Sequence, residues 1–197
     1  MNQNNTFKIE VQNPSTGEYA SLQLPCNKMA VKELFEKLKI KKRYKIIDCD
    51  FYIQPVRKAI MRSISIDEIN YFASEYAKMP DDKKDRFRQV LAAGCDTVDC
   101  VAECINLIST LDYTYYFLPG ITTYEQVCYF HLACNKVTMR FAPTQYICKA
   151  DYHRIGIELS HAERGKFFEN CYIARCKHYY PDTYVGGIPE EYKVVPL

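Results

Sequence analysis

The hydrophobic period of this chain changes from two to nearly four within its N-terminal quarter, and that change restricts the folds open to it. Over residues 6–12, Phe7, Ile9 and Val11 alternate with Lys8, Glu10 and Gln12. Alternation of this kind marks a half-buried strand. Asn13-Pro14-Ser15-Thr16-Gly17 is a turn cluster, and a second alternating run over Tyr19–Leu24 completes a predicted hairpin. From Asn27 the spacing becomes helical. Asn27 can cap a helix whose apolar face is Val31, Leu34, Phe35 and Leu38, the i, i+3, i+4, i+7 pattern. Lys45–Ile53 alternates again, with Ile47, Cys49, Phe51 and Ile53 on one face. The first unit reads as ββαβ.

The middle of the chain carries the pattern of three helices. Ser65-Ile66-Asp67-Glu68 has the form of a capping box, with Ile64 and Ile69 placed for a hydrophobic staple. Ile69, Phe72, Ala73 and Tyr76 form the stripe to be buried. Pro80 separates this helix from a second, which buries Phe87, Val90 and Leu91 and stops at Gly94. Asp96 or Thr97 can cap a third, with Val98, Val101, Ala102, Ile105 and Ile108 inward. Beyond it, Asp112–Leu118 reads as a strand ending at Pro119-Gly120. Thr123 opens a helix to about Asn135, and short strand-like pieces follow over 136–149. His153–Leu159 is compatible with helix, Phe167–Cys176 with strand, and the tail with loop. The resulting expectation is an α+β chain of three small units: an N-terminal α/β unit at 1–62, an acidic helical middle at 63–110 and a C-terminal α+β unit at 111–197.

Charge is distributed unevenly behind a net value of +2. Residues 29–62 hold ten bases and four acids; residues 63–110 hold five bases and nine acids. In the acidic middle, Asp96, Asp99 and Glu103 are spaced for one helix face, Asp67, Glu68 and Glu75 for another, and Asp81, Asp82 and Asp85 open the helix between them. Carboxylates on exposed helix faces are ordinary, and acids near helix N-termini favour the macrodipole. They can also imitate the phosphates of DNA. The basic run Lys37, Lys39, Lys41, Lys42, Arg43 and Lys45 admits three readings. It can be the solvated end of a helix, a surface for the acidic middle of another subunit, or, with Arg57, Lys58 and Arg62, a nucleic-acid-binding module acting by counterion release.

No catalytic signature is present: there is no nucleophile elbow, phosphate loop, dinucleotide fingerprint or His-Glu-x-x-His. The chain is therefore expected not to be an enzyme and to need no cofactor. Cys128, His131 and Cys134 are spaced C-x₂-H-x₂-C inside a predicted helix. At 100° per residue the two thiols diverge by about 120°, so one helix turn does not present all three to one ion. Cys171, Cys176 and His178 are further possible ligands, but no C-x₂-C pair occurs. No metal site is expected. The ten cysteines are scattered through apolar segments, and Met1–Asn5 has no basic or apolar export region. The expectation is reduced, buried thiols in a cytoplasmic protein. No apolar run reaches the roughly 20 residues of a bilayer crossing.

Three stretches taken in order resemble the ArdA-type antirestriction family carried by mobile elements. They are Ser65-Ile66-Asp67-Glu68-Ile69-Asn70; Ile105-Asn106-Leu107 through Leu111-Asp112, followed by Pro119-Gly120 and Tyr124-Glu125-Gln126-Val127; and Asp151-Tyr152-His153-Arg154-Ile155-Gly156-Ile157-Glu158-Leu159, followed by Gly165-Lys166-Phe167 and Tyr172-Ile173. The similarity runs over roughly residues 20–175. It implies an elongated, three-unit homodimer that mimics bent duplex DNA and inhibits Type I restriction–modification enzymes, a protein partner bound without cofactor. The implied binding surface is Asp67, Glu68, Glu75, Asp81, Asp82, Asp85, Asp96, Asp99 and Glu103. The family is strongly acidic, whereas this chain has a sequence pI near 8.0. A near-neutral chain can reproduce the charge of DNA, about one per 1.7 Å of axis, only locally.

Overall fold

The computed structural model describes residues 6–134, 149–176 and 184–196. The fold is α+β, as expected, with two three-stranded antiparallel sheets and seven helices among the described residues. The chain divides into two compact units rather than three. One contains residues 6–88, 97–110 and 184–196; the other contains 89–96, 111–134 and 149–176. The helical middle is thus no unit of its own: residues 63–88 and 97–110 belong to the first unit and 89–96 to the second.

In the first unit, β1 (Phe7–Gln12) is the central strand of the order β2–β1–β3, with β2 at Tyr19–Leu24 and β3 at Lys45–Cys49. The hairpin and its alternation match the expectation: Phe7, Ile9 and Val11 are buried, and Phe7 and Ile9 face Leu24 and Leu22 across the ladder. Strand β3 is shorter than predicted and partly out of phase. A register shift between Glu10 and Val11 places Ile46, not Ile47, in the core beside Cys49. Asp50 then ends the ladder, its N–H donating to the Lys8 carbonyl while its carboxylate accepts from the Lys8 N–H. Phe51 and Ile53 remain buried but lead into an unpredicted helix, α2 (Gln54–Arg62). Pro55 lies in its first turn, where the missing N–H costs no hydrogen bond. Val56, Ala59 and Ile60 are its buried face.

Helix α1 (Lys28–Lys37) is capped by Asn27, whose side chain accepts from the Ala30 N–H. Helix α3 (Ile66–Lys78) is capped by Ser65, which accepts from the Glu68 N–H, and buries Ile69, Phe72, Ala73 and Tyr76 as predicted. The staple does not form: Ile64 is 91% exposed, and Ile66 is buried instead. Helix α4 (Asp81–Ala92) follows Pro80 and stops at Gly94, which has φ +66°. The Gly94 and Cys95 N–H groups return to the Leu91 and Val90 carbonyls, closing the last turn. Helix α5 (Val101–Thr114) begins later than predicted and runs on to shorten the strand after it, β4, to Tyr115–Pro119.

In the second unit, β6 (Cys171–Arg175) lies between β4 and β5 (Lys166–Phe168). The single strand expected over 167–176 is therefore a hairpin. Helices α6 (Tyr124–Ala133) and α7 (Lys149–Ala162) pack on each other. Thr123 and Gln126 form a full capping box at the start of α6. The strand-like pieces expected over 136–149 lie, apart from Lys149 at the start of α7, outside the described residues. Two glycines allow close approaches in this unit. A Cβ on Gly156 would stand 1.9 Å from the Tyr124 carbonyl oxygen, and one on Gly165 would stand 2.0 Å from the Tyr172 hydroxyl. Backbone cannot move aside as a flexible side chain can, so Gly156→Ala must push α6 and α7 apart. Overpacking of this kind costs about 1–3 kcal/mol. Urea unfolding of the full chain should show a loss in that range, and wild-type stability in Gly156→Ala would disprove the contact.

Candidate functional site

The carboxylates of α3 face the C-terminal segment of the same unit. Asp67 accepts from the backbone N–H groups of Val194 and Val195, at 2.6 and 2.8 Å. Glu68 accepts from the Tyr184 hydroxyl at 3.1 Å. Glu75 holds the Lys78 ammonium at 2.7 Å and accepts from the Tyr192 hydroxyl. Between these contacts the Tyr71 ring lies 5.6 Å from that of Tyr184 and 4.8 Å from that of Tyr192. The Asn70 amide donates to the Tyr192 carbonyl. Residues 184–196, expected to be loosely specified, are tied along α3 by aromatic stacking and charge-assisted hydrogen bonds, among the stronger neutral-to-ion contacts. Glu68 does not close the predicted capping box, because its side chain serves Tyr184.

Local cations meet the carboxylates of α4. Asp82 pairs with Arg86 at 2.7 Å, and this bond holds its carboxyl below the usual range. Asp85 accepts two bonds from Arg88. Asp81 is 3.7 Å from the Lys84 ammonium, whose side chain is buried and lies over the Tyr76 ring. The i, i+3 and i, i+4 spacings place these partners on one helix face.

Asp96, Asp99 and Glu103 do not share the helix face predicted for them, because α5 starts only at Val101. Asp99 pairs with Arg62 at 3.2 Å. Glu103 turns back to accept from the Asp99 and Cys100 N–H groups, satisfying donors at the helix start. Asp96 belongs to the second unit, where Arg175 at 3.2 Å and the Tyr115 hydroxyl at 2.6 Å hold it. Each of the nine predicted acids therefore has an intrachain partner. Six of them face a cation: Glu75, Asp81, Asp82, Asp85, Asp96 and Asp99. Asp81, Asp82, Asp99 and Glu103 are the ones that remain well exposed.

The basic run behaves differently. Leu38 and Ile40 are buried, while Lys37, Lys39, Lys41, Lys42, Arg43 and Lys45 are all exposed. Lys39 takes a left-handed backbone, φ +54°, at the end of α1. The Ile40 N–H returns to the Phe35 carbonyl, and the buried Asn13 amide donates to the Leu38 carbonyl. A well-anchored backbone thus presents these cations. Of the three further bases considered with them, Arg57 is committed to Asp48 at 2.7 Å and Arg62 to Asp99. Lys58 is exposed.

The second unit contains a buried polar cluster that the sequence did not reveal. His131 is 1% exposed, with Nε2 3.1 Å from a Glu163 carboxylate oxygen. The Tyr116 hydroxyl donates to the same oxygen. His131 is thus a buried side chain held by Glu163. Cys128 is buried and Cys134 exposed, and no three potential ligands converge among the described residues. His178 lies outside the described residues. The nine described cysteines are free, and five are buried. Burial pushes the thiols of Cys26, Cys49 and Cys95 up to about 11 and raises those of Cys104, Cys128 and Cys171, which makes them poor nucleophiles. No helix among the described residues is long and apolar enough to cross a membrane.

Compared with known proteins, the chain matches no family model and no curated protein.

Removing His131 leaves the buried Glu163 carboxylate short of a partner, and such a group costs about 1–3 kcal/mol. His131→Ala should lose that much stability in urea unfolding. An unchanged midpoint would mean that the pair contributes nothing.

Proposed function

We propose that this chain is a non-enzymatic counter-defence protein of the ArdA type. In this reading it binds a DNA-handling defence enzyme of the Type I restriction–modification class and inhibits it by partial mimicry of duplex DNA. The observation that carries the reading is how the residues of the resemblance fit together. Gly156 accepts the Tyr124 backbone, Gly165 accepts the Tyr172 ring, and Tyr172 packs with Val127 and Phe167 in one core. Motifs far apart in the chain thus form one packed arrangement, as parts of a shared fold would. Because fold does not dictate function, the inhibitory role rests on the resemblance and on surface chemistry.

Within that role, mimicry is local. The exposed quartet Asp81, Asp82, Asp99 and Glu103 is the anionic surface offered to the target. Asp67, Glu68 and Glu75 are engaged by the C-terminal segment, and Asp85 and Asp96 are half-buried against arginines. The reading includes a cytoplasmic homodimer that requires no cofactor.

Cleavage of unmodified duplex DNA by a Type I restriction enzyme tests it. The full chain should inhibit cleavage, and inhibition should weaken as salt rises. Reversing Asp81, Asp82, Asp99 and Glu103 to Lys should raise the half-inhibiting concentration by roughly tenfold or more, since like charges at an interface are strongly disfavoured. The Asn and Gln versions, which keep shape, should fall between. Absence of inhibition would refute the counter-defence reading; full inhibition by the reversed variant would refute mimicry by this surface.

A further inference from the structure

We infer that the basic ridge at residues 37–45 is a binding surface for the phosphate backbone of duplex DNA, read without regard to base sequence. The inference goes beyond the counter-defence reading and uses different residues. Arg57, Arg62, Lys78, Arg86, Arg88, Arg154 and Arg175 each meet a carboxylate. Lys37, Lys39, Lys41, Lys42, Arg43 and Lys45 meet no carboxylate among the described residues, are all exposed, and fall in one run of nine. The nearest acid along the run, Glu36, lies 3.9 Å from the Lys32 ammonium, and both line the groove beside these cations. Six like charges in nine residues repel one another. A polyanion that crosses them relieves this repulsion and releases its own condensed counterions.

The local structure selects the kind of polyanion. Phe35, Ile40 and Tyr44 line an open groove together with Lys39, Lys41 and Lys42. A single-strand binder would present aromatic faces to unstacked bases. Here the one aromatic within the run is already occupied. The Tyr44 ring packs on Phe35 at 5.5 Å, and its hydroxyl accepts from the Ile66 N–H at 3.0 Å. The carboxylates of Asp48 and Asp50, which could accept from base edges, are spent on Arg57 and on the Lys8 N–H. What is left is a row of flexible ammonium groups and one guanidinium, the groups that hold phosphates and fix a protein's position on a duplex. Anchoring by Leu38, Ile40 and Asn13 means that the backbone of the ridge does not have to be ordered on binding.

Fluorescence anisotropy of the full chain with a labelled duplex of mixed sequence tests this, with a single strand of the same sequence and polyglutamate as competitors. Duplex binding at low salt should weaken about a thousandfold between 50 and 200 mM salt if all six cations engage. Lys39→Glu, Lys41→Glu, Lys42→Glu and Arg43→Glu together should abolish it. The same four positions changed to Gln should lower the slope of affinity against salt by about four contacts' worth. Because these side chains are exposed, thermal melting should show both variants folded. No binding at low salt, or binding unchanged in either variant, would overturn the proposal. Preference for the single strand, or for polyglutamate, would overturn its commitment to duplex DNA.

Discussion

Helix α3 is gripped on both sides, and the first unit depends on that double packing. Its apolar stripe closes the core: Phe72 and Tyr76 meet Phe51, and Phe72 meets Phe7. Full burial of each such side chain contributes about 1.5–3 kcal/mol. Its polar side is no less committed, since Asp67, Asn70 and Glu75 hold residues 192–195. A helix that looks amphipathic in sequence, with one face for solvent, has that face half-buried. The electrostatic consequence is direct: carboxylates that accept backbone N–H groups are fixed in place and are no longer available to a partner without release of the chain end.

Local signals were readable wherever local chemistry decides the outcome. The first hairpin, the Asn27, Ser65 and Thr123 caps, the buried stripe of α3 and the stop at Gly94 each follow from residues within one or two turns. Asp82 pairs with Arg86 and Asp85 with Arg88 because i, i+4 and i, i+3 spacings place side chains together on any helix. Where distant contacts decide, the pattern misled. Alternation continued past Cys49 to Ile53 because Phe51 and Ile53 are buried for reasons unrelated to a ladder. Ile47 lost its place to Ile46 through a register shift in the pairing of β3 with β1. The anchoring of Val194 by Asp67 spans 127 residues, and no periodicity reports it. The bond between Asp96 and Arg175 is likewise invisible along the chain.

This division bears on the two proposed surfaces. The motifs of the resemblance are largely packing residues: glycines where backbones touch, tyrosines in the core, and caps at helix starts. Such residues specify an architecture, and chemistry must be sought on the exterior. There the acids are mostly balanced by neighbours, which accounts for the ease with which a near-neutral chain carries an acidic middle. In the proposed function the exposed anionic quartet is assigned to a protein that grips DNA, and in the further inference the basic ridge is assigned to DNA itself.

The central claim is that the chain's own C-terminal segment occupies the α3 carboxylates. Amide hydrogen exchange of the full chain, resolved at Val194 and Val195, tests it most directly. The account predicts that both amides are protected in the wild type and exchange rapidly in Asp67→Ala, while the core amides of α3 stay protected. Exchange of Val194 and Val195 in the wild type at the rate of an unstructured peptide would contradict it, and would leave Asp67 without its two backbone donors.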